Sequence, residues 1–252
     1  MDAYTTFAQV YDLFMDNVPY EEWSEYLLSV LKEYGIHSGV ICDLGCGTGK
    51  MTRLLAQAGY DMIGVDLSED MLTIASEQNE DGILYLCQDM CELELYGTAK
   101  AMISVCDSIN YLLEEDEIIW TLQSVNRYLE PGGIFIFDFN TVYKYETVLG
   151  DTTICENREE GSFIWENYYD KEEQINEYDL TLYIQDEEDP DYFMRFEEVH
   201  YQRAYEIEAI KKALREGGMD LLEILDADTM TPVLEETERM YVIAREVGKK
   251  RG

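Results

Sequence analysis

Short apolar runs alternate with stretches of helical spacing over residues 39–140. VICDLG, DMIGVDLS, ILYLCQDM, AMISVCDSI and GGIFIFDFN read as strands that are apolar on both faces, the pattern of a parallel sheet covered on both sides. Between them Met51, Leu54, Leu55 and Ala58, and later Ile118, Ile119, Leu122, Val125 and Leu129, recur at steps of three and four. Each stretch therefore presents one apolar stripe to a sheet, and Pro131-Gly132-Gly133 is expected to stop the later helix. Repeated strand–helix units of this kind predict a doubly wound, mainly parallel α/β fold. Upstream, residues 11–34 put Trp23, Leu27, Leu28 and Leu31 on one side and are expected to form one outer helix or lid.

Downstream the period changes to two. Tyr178, Leu180, Leu182 and Ile184 alternate with Asp179, Thr181 and Gln185, and DKEEQ and DEEDPD break the run. Residues 161–201 are therefore expected to form three antiparallel strands in a small appended sheet. Ile207, Ile210 and Leu214 restore helical spacing over residues 206–217, and MDLLEILDA and ERMYVIAREV read as two closing strands.

The first strand runs into VICDLGCGTGKM, where Gly45, Gly47 and Gly49 alternate just before a helix and Asp43 stands at the strand end. Glycine tolerates positive φ and lets a ligand approach the backbone, so this loop is a candidate nucleotide cradle. Its spacing is not that of the dinucleotide fingerprint, which needs G-x-G-x-x-G, and it is too short for a P-loop. The next strand ends in GVDLS, whose Asp66 is placed to accept both hydroxyls of a ribose.

Charge narrows the partners. With 18 basic and 54 acidic residues the formal charge is −36, which repels phosphate backbones and anionic lipid surfaces, so no nucleic-acid partner is expected. No apolar run approaches the roughly 18 residues of a membrane span, and the first residues carry no signal-peptide pattern, so a cytoplasmic protein is expected. The pairs Cys42/Cys46 and Cys87/Cys91 are too widely spaced for a zinc thiol pair, and with only two histidines in the chain no metal is expected.

In order, DLGCGTGK, GVDLSEDML, CQDM, CDSINYL and LEPGGIFIFDFNT resemble the motifs of class I S-adenosylmethionine-dependent methyltransferases. YDLFMDNVPYEEW, CDSINY and the inserted strands resemble, within that superfamily, a bacterial branch of small-molecule enzymes that includes sugar-amine N-methyltransferases. The resemblance implies a seven-stranded Rossmann-like sheet with a small antiparallel β insertion. It implies a helical lid over 1–38, a methyltransferase core over 39–142 and 202–252, and an inserted substrate or lid subdomain over 143–201. S-adenosyl-L-methionine is the implied cofactor. Its methionine end is expected over Gly45, Cys46, Gly47 and Gly49 with Asp43 at the amino group, its ribose on Asp66, and its adenine among Leu67, Met71, Asp89 and Met90. Cys106 is expected near the transferable methyl, with Tyr11 and Trp23 closing over the methionine end.

The implied reaction is in-line methyl transfer to nitrogen or oxygen of a small-molecule acceptor; the alternative is a noncatalytic cofactor-binding module that engages a protein. Asp107, Tyr111 and His200 are candidate catalytic groups, and His200 is the residue that could take a proton from the acceptor. Asp138, Asn140, Trp165, Asn167, Arg203 and Tyr205 are candidate substrate contacts. The tyrosines between Trp165 and Tyr205 could wall a site for a cation or a sugar, or form the core of the small sheet.

Overall fold

A computed structural model describes residues 7–78, 82–186, 189 and 191–249. Two helices, α1 (Phe7–Phe14) and α2 (Tyr20–Glu33), precede the first strand. The single helix expected over residues 11–34 is broken because Pro19 has no N–H to donate and disfavours helical backbone at Val18; it stands instead as the N-cap of α2.

β1 (Val40–Leu44), α3 (Lys50–Gln57), β2 (Asp61–Asp66), α4 (Glu69–Glu77), β3 (Leu84–Cys87), β4 (Ala99–Ser104), α5 (Glu115–Tyr128) and β5 (Leu129–Asn140) follow in alternation. After β6 (Thr153–Asn157), β7 (Gly161–Asp170), β8 (Ile175–Gln185) and β9 (Phe193–Arg203) come α6 (Ile207–Glu216), β10 (Met219–Asp226) and β11 (Arg239–Glu246). The main sheet has seven strands in the order β10-β11-β5-β4-β1-β2-β3. Strands β1 to β5 pair in parallel, while β11 runs antiparallel between β5 and β10. This is the Rossmann-like methyltransferase arrangement.

Both faces of that sheet are apolar because both are covered. On β5, Phe135, Phe137 and Phe139 point into a core shared with α5 and α6, whereas Ile134 and Ile136 point to the opposite core beneath α2 and α3. Strand β11 divides in the same way, with Met240, Val242 and Ala244 on one side and Tyr241 and Ile243 on the other.

The appended sheet has four strands, not three, in the order β6-β7-β8-β9. The added strand, TICEN, is an exposed edge, so it shows none of the alternation that betrays a half-buried strand. Phe163, Leu180 and Leu182 on its inner face form a third core with Phe14 of α1. Arg158 bridges the same elements, pairing with Asp16 and donating to the Leu13 carbonyl. No helix among the described residues is long and apolar enough to cross a membrane.

Candidate active site

The carboxyl ends of β1 to β4 open into a cavity of about 800 Å³. Its floor is the glycine loop. Gly45 has φ +71°, and a Cβ there would lie 2.4 Å from Ser108 Oγ, so a side chain is excluded by both backbone and space. Gly49, also left-handed, begins α3 with the Tyr85 hydroxyl 2.4 Å from where a Cβ would stand.

Carboxylates rim this floor. Asp43 is buried and accepts a hydrogen bond from Thr52 Oγ1 at 2.6 Å. Burial pushes its carboxyl up to about 7; the Thr52 bond opposes the shift and the neighbouring Asp66 charge adds to it. Asp66 accepts from the Gly47 N–H at 2.7 Å and the Ser68 N–H at 2.9 Å, so it ties the glycine loop to the start of α4. Burial raises the Asp66 carboxyl and these backbone donors oppose it. Asp89 accepts from the Cys91 N–H at 2.8 Å and caps the short turn Met90–Glu92.

Beyond β4 the backbone takes an unusual path. Cys106 and Asp107 have φ of 63° and 54°, the left-handed region that costs an L-residue roughly 1–2 kcal/mol. Asp138 holds both in place, accepting from the Cys106 N–H at 3.1 Å and the Asp107 N–H at 2.8 Å. Burial pushes the Asp138 carboxyl up to about 6, against the pull of Arg239 3.4 Å away. Asp107 in turn accepts from Gln202 Nε2 at 2.7 Å and Asn140 Nδ2 at 3.2 Å.

The lid side is aromatic. Tyr11 and Tyr20 line the cavity, the Lys50 ammonium stands 4.7 Å over the Tyr20 ring, and Thr48 Oγ1 donates to Asp12 at 2.8 Å.

Of the residues singled out in the sequence, Tyr11, Asp43, Gly45, Cys46, Gly47 and Asp66 line the cavity. So do Leu67, Met71, Asp89, Met90, Cys106 and Tyr111. Gly49 lies behind the wall, against Tyr85. Trp23 is also off the wall: its ring packs under the Arg239 guanidinium at 4.0 Å.

None of the candidates from the four-stranded sheet reaches the wall among the described residues. They brace it from behind instead. Tyr205 Oη donates to the Leu112 carbonyl at 2.6 Å and Arg203 Nη1 to the Leu113 carbonyl at 2.8 Å. Asn110 Nδ2 spans the carbonyls of Asn140 and Arg203, while the Asn140 N–H donates to Asn110 Oδ1. His200 lies 3.2 Å from the Tyr111 hydroxyl. Trp165 packs on Tyr178, and Asn167 donates to the Thr152 carbonyl and accepts from Asn176.

Sequence reasoning missed Tyr20, Thr48, Lys50, Ser108 and Glu117 in the wall, and Thr52 behind it. Thr48 and Lys50 lay inside the glycine-loop motif, and Thr52 on the first turn of the helix that follows it, so these three carried a local signal.

A methyltransferase-domain family model matches residues 41–133. A protein of Geobacillus sp. (strain WCH70) that bears the name methyltransferase is 35% identical over 247 residues, which cover 96% of this chain and 99% of that one. The crystal structure of an S-adenosylmethionine-dependent methyltransferase from Clostridium acetobutylicum ATCC 824 superposes with a TM-score of 0.86 at 29% identity, covering 98% of this chain and 100% of that one. The dTDP-3-amino-3,4,6-trideoxy-alpha-D-glucopyranose N,N-dimethyltransferase of Streptomyces venezuelae is 29% identical over 133 residues, 52% of this chain and 56% of its own. A likeness that runs the length of the Geobacillus protein, on a fold shared with the Clostridium enzyme, makes this chain a member of the S-adenosylmethionine-dependent methyltransferase family.

Proposed function

We propose that this methyltransferase acts on a nitrogen or oxygen atom of a small-molecule acceptor that enters the same cavity as the cofactor. The observation that carries the reading is the cavity itself. At about 800 Å³ it stands at the upper end of the roughly 300–1,000 Å³ of small-ligand clefts, with room for an acceptor beside the cofactor. The partial likeness to an amino-sugar N,N-dimethyltransferase agrees with it, as does a formal net charge of −36 that repels nucleic acid.

The residues present fit the cofactor. The Gly45 cradle admits no side chain, and Asp43 and Asp66 offer the carboxylates that an amino group and a ribose require. In this reading Gly45, Cys46 and Gly47 underlie the methionine end, Asp66 takes the ribose, and Leu67, Met71, Asp89 and Met90 frame the adenine. When bound, S-adenosylmethionine supplies an electrophilic sulfonium methyl, open to in-line displacement.

What remains for the protein is orientation, and a correctly held acceptor can gain on the order of 7–11 kcal/mol in effective molarity. Tyr11 and Tyr20 cover the cavity from the lid, residues 1–38, with Lys50 of α3 over the Tyr20 ring, and Cys106 and Tyr111 close it from the end of β4. Residues 39–142 and 202–252 form the catalytic core, and residues 143–201 set the acceptor wall indirectly, by bracing the Ser108–Tyr111 turn through Tyr178 and His200. The test is a methyl-transfer screen against amines, amino sugars and hydroxy metabolites, read by mass. Turnover of one of these classes is expected. Transfer to protein or RNA alone would overturn the reading.

A further inference from the structure

The inner face of β9 buries two ionisable side chains, Glu198 at 3% exposure and His200 at 2%. Burying a carboxylate and an imidazole is costly unless each is partnered, and apolar residues would pack this face with less penalty. Here they form a chain. Glu198 Oε2 lies 3.2 Å from His200 Nε2, and His200 Nδ1 lies 3.2 Å from the hydroxyl of Tyr111, which lines the cavity. Tyr178 steadies the junction, its hydroxyl 3.1 Å from that of Tyr111 and its ring stacked on the imidazole at 5.3 Å.

We propose that Tyr111, His200 and Glu198 are a relay that removes the proton released by the methyl acceptor, an inference that rests on the small-acceptor reading of the cavity. Glu198 accepts from Nε2–H and so fixes the tautomer, which leaves the Nδ1 lone pair directed at the Tyr111 hydroxyl. The acceptor's lone pair forms the new bond to the methyl carbon as the sulfur–carbon bond breaks and its electron pair returns to sulfur; the acceptor's proton then passes to Tyr111 Oη and the Tyr111 proton to His200 Nδ1. One proton leaves the acceptor and one imidazolium forms, with its charge balanced by Glu198. Tyr111 touches the acceptor; His200 and Glu198 are positioning residues that act through it. The relay selects an acceptor whose attacking atom has both a lone pair and a proton to lose, a neutral amine N–H or a hydroxyl. Glu198 from β9, Tyr178 from β8 and Tyr111 from the turn after β4 are titratable groups that face His200.

The chain has two histidines, and His37 is exposed, so full-length protein labelled with 15N-histidine and compared with a His37→Gln variant identifies the His200 signals. Neutral His200 is expected as the Nε2–H tautomer, with an Nδ1 shift that moves in Tyr111→Phe. An Nδ1–H tautomer, or an Nδ1 shift unmoved in Tyr111→Phe, would overturn the relay; neither outcome needs an acceptor. With an acceptor from the screen, Glu198→Gln is expected to move the acid limb of the kcat profile to lower pH, since the imidazolium loses its counter-charge, with the cofactor KM unchanged. An unmoved limb would also overturn it. Failure of the screen bears on the small-acceptor reading alone.

Discussion

Asp43 shows how one carboxylate can couple cofactor binding to pH. Burial pushes it up to about 7, so in the free protein it is protonated over much of the range below neutrality, whereas a cationic amino group would bind its ionised form. S-adenosylhomocysteine affinity is expected to rise between pH 6 and 8, by at most about tenfold per pH unit below that value. Asp43→Asn should bind more weakly at pH 8 and show a flatter profile by calorimetry; an unchanged slope would remove Asp43 from this role. A second expectation concerns Gly45→Ala, which adds roughly 1–2 kcal/mol of left-handed backbone cost to a collision with Ser108. Its melting temperature and ligand affinity should both fall, and Ser108→Gly in the same chain should recover the part due to collision. Asp43, Gly45, Asp66 and Asp89 were legible because they follow apolar strand runs in a readable order. Ser108 was not, since its place under Gly45 comes from chain 63 residues away, and no local pattern announces such an approach. The same holds for Asp66 as an anchor of the glycine loop, which depends on the contact with Gly47 N–H.

Among elements, α1 matters most to the cavity because it carries Tyr11 and is tied to the four-stranded sheet at two points. Phe14 meets Phe163 edge-on at 5.0 Å, and Arg158 pairs with an Asp16 whose side chain is 58% exposed. Truncation of a buried Phe costs about 3–5 kcal/mol, whereas an exposed ion pair contributes about 0.2–1 kcal/mol. Phe163→Ala is therefore expected to lower both stability and S-adenosylhomocysteine affinity more than Arg158→Ala, as read by denaturant unfolding and calorimetry. The reverse order would place the tie in the ion pair. The parallel strands were legible because burial on both faces leaves an unbroken apolar run, as in Ile134 to Phe137 of β5. The break between α1 and α2 could have been read from Pro19, but the apolar stripe continues past it and masks the interruption. Strand β6 had no such signal, because an exposed edge strand obeys no burial pattern.

At the scale of the molecule, a charge of −36 acts with the raised carboxyls of Asp43 and Asp138. Both folded-state values, about 7 and about 6, lie above the ordinary 3.8, so between 3.8 and those values the folded chain retains protons that the unfolded chain releases. Stability from these two groups therefore falls as pH rises across that window and is level above it. Cofactor-free protein is expected to melt higher at pH 6 than at pH 8, and higher in 0.15 M salt, where the screening length falls to about 8 Å, than in 0.01 M, where it is about 30 Å. Asp43→Asn should remove part of the pH effect but leave the salt effect. Scanning calorimetry in which acidification lowers the melting point over this range would contradict the assignment.

Strand β11 closes the sheet by entering between β5 and β10, yet it comes after them both in the chain. Synthesis on the ribosome runs the other way from that geometry. Every residue of the cavity wall, from Tyr11 to Glu117, has been made while β5 still shows an unpaired edge of wholly buried residues, Ile134 to Phe139. At roughly 5–20 residues per second, the nascent chain carries that edge for several seconds or more. Such an edge is a template for pairing with other chains. Strand β11 is thus the clasp of a vectorial assembly: translation halted before Arg239 leaves an aggregation-prone intermediate, because β11 is the strand that covers the β5 edge.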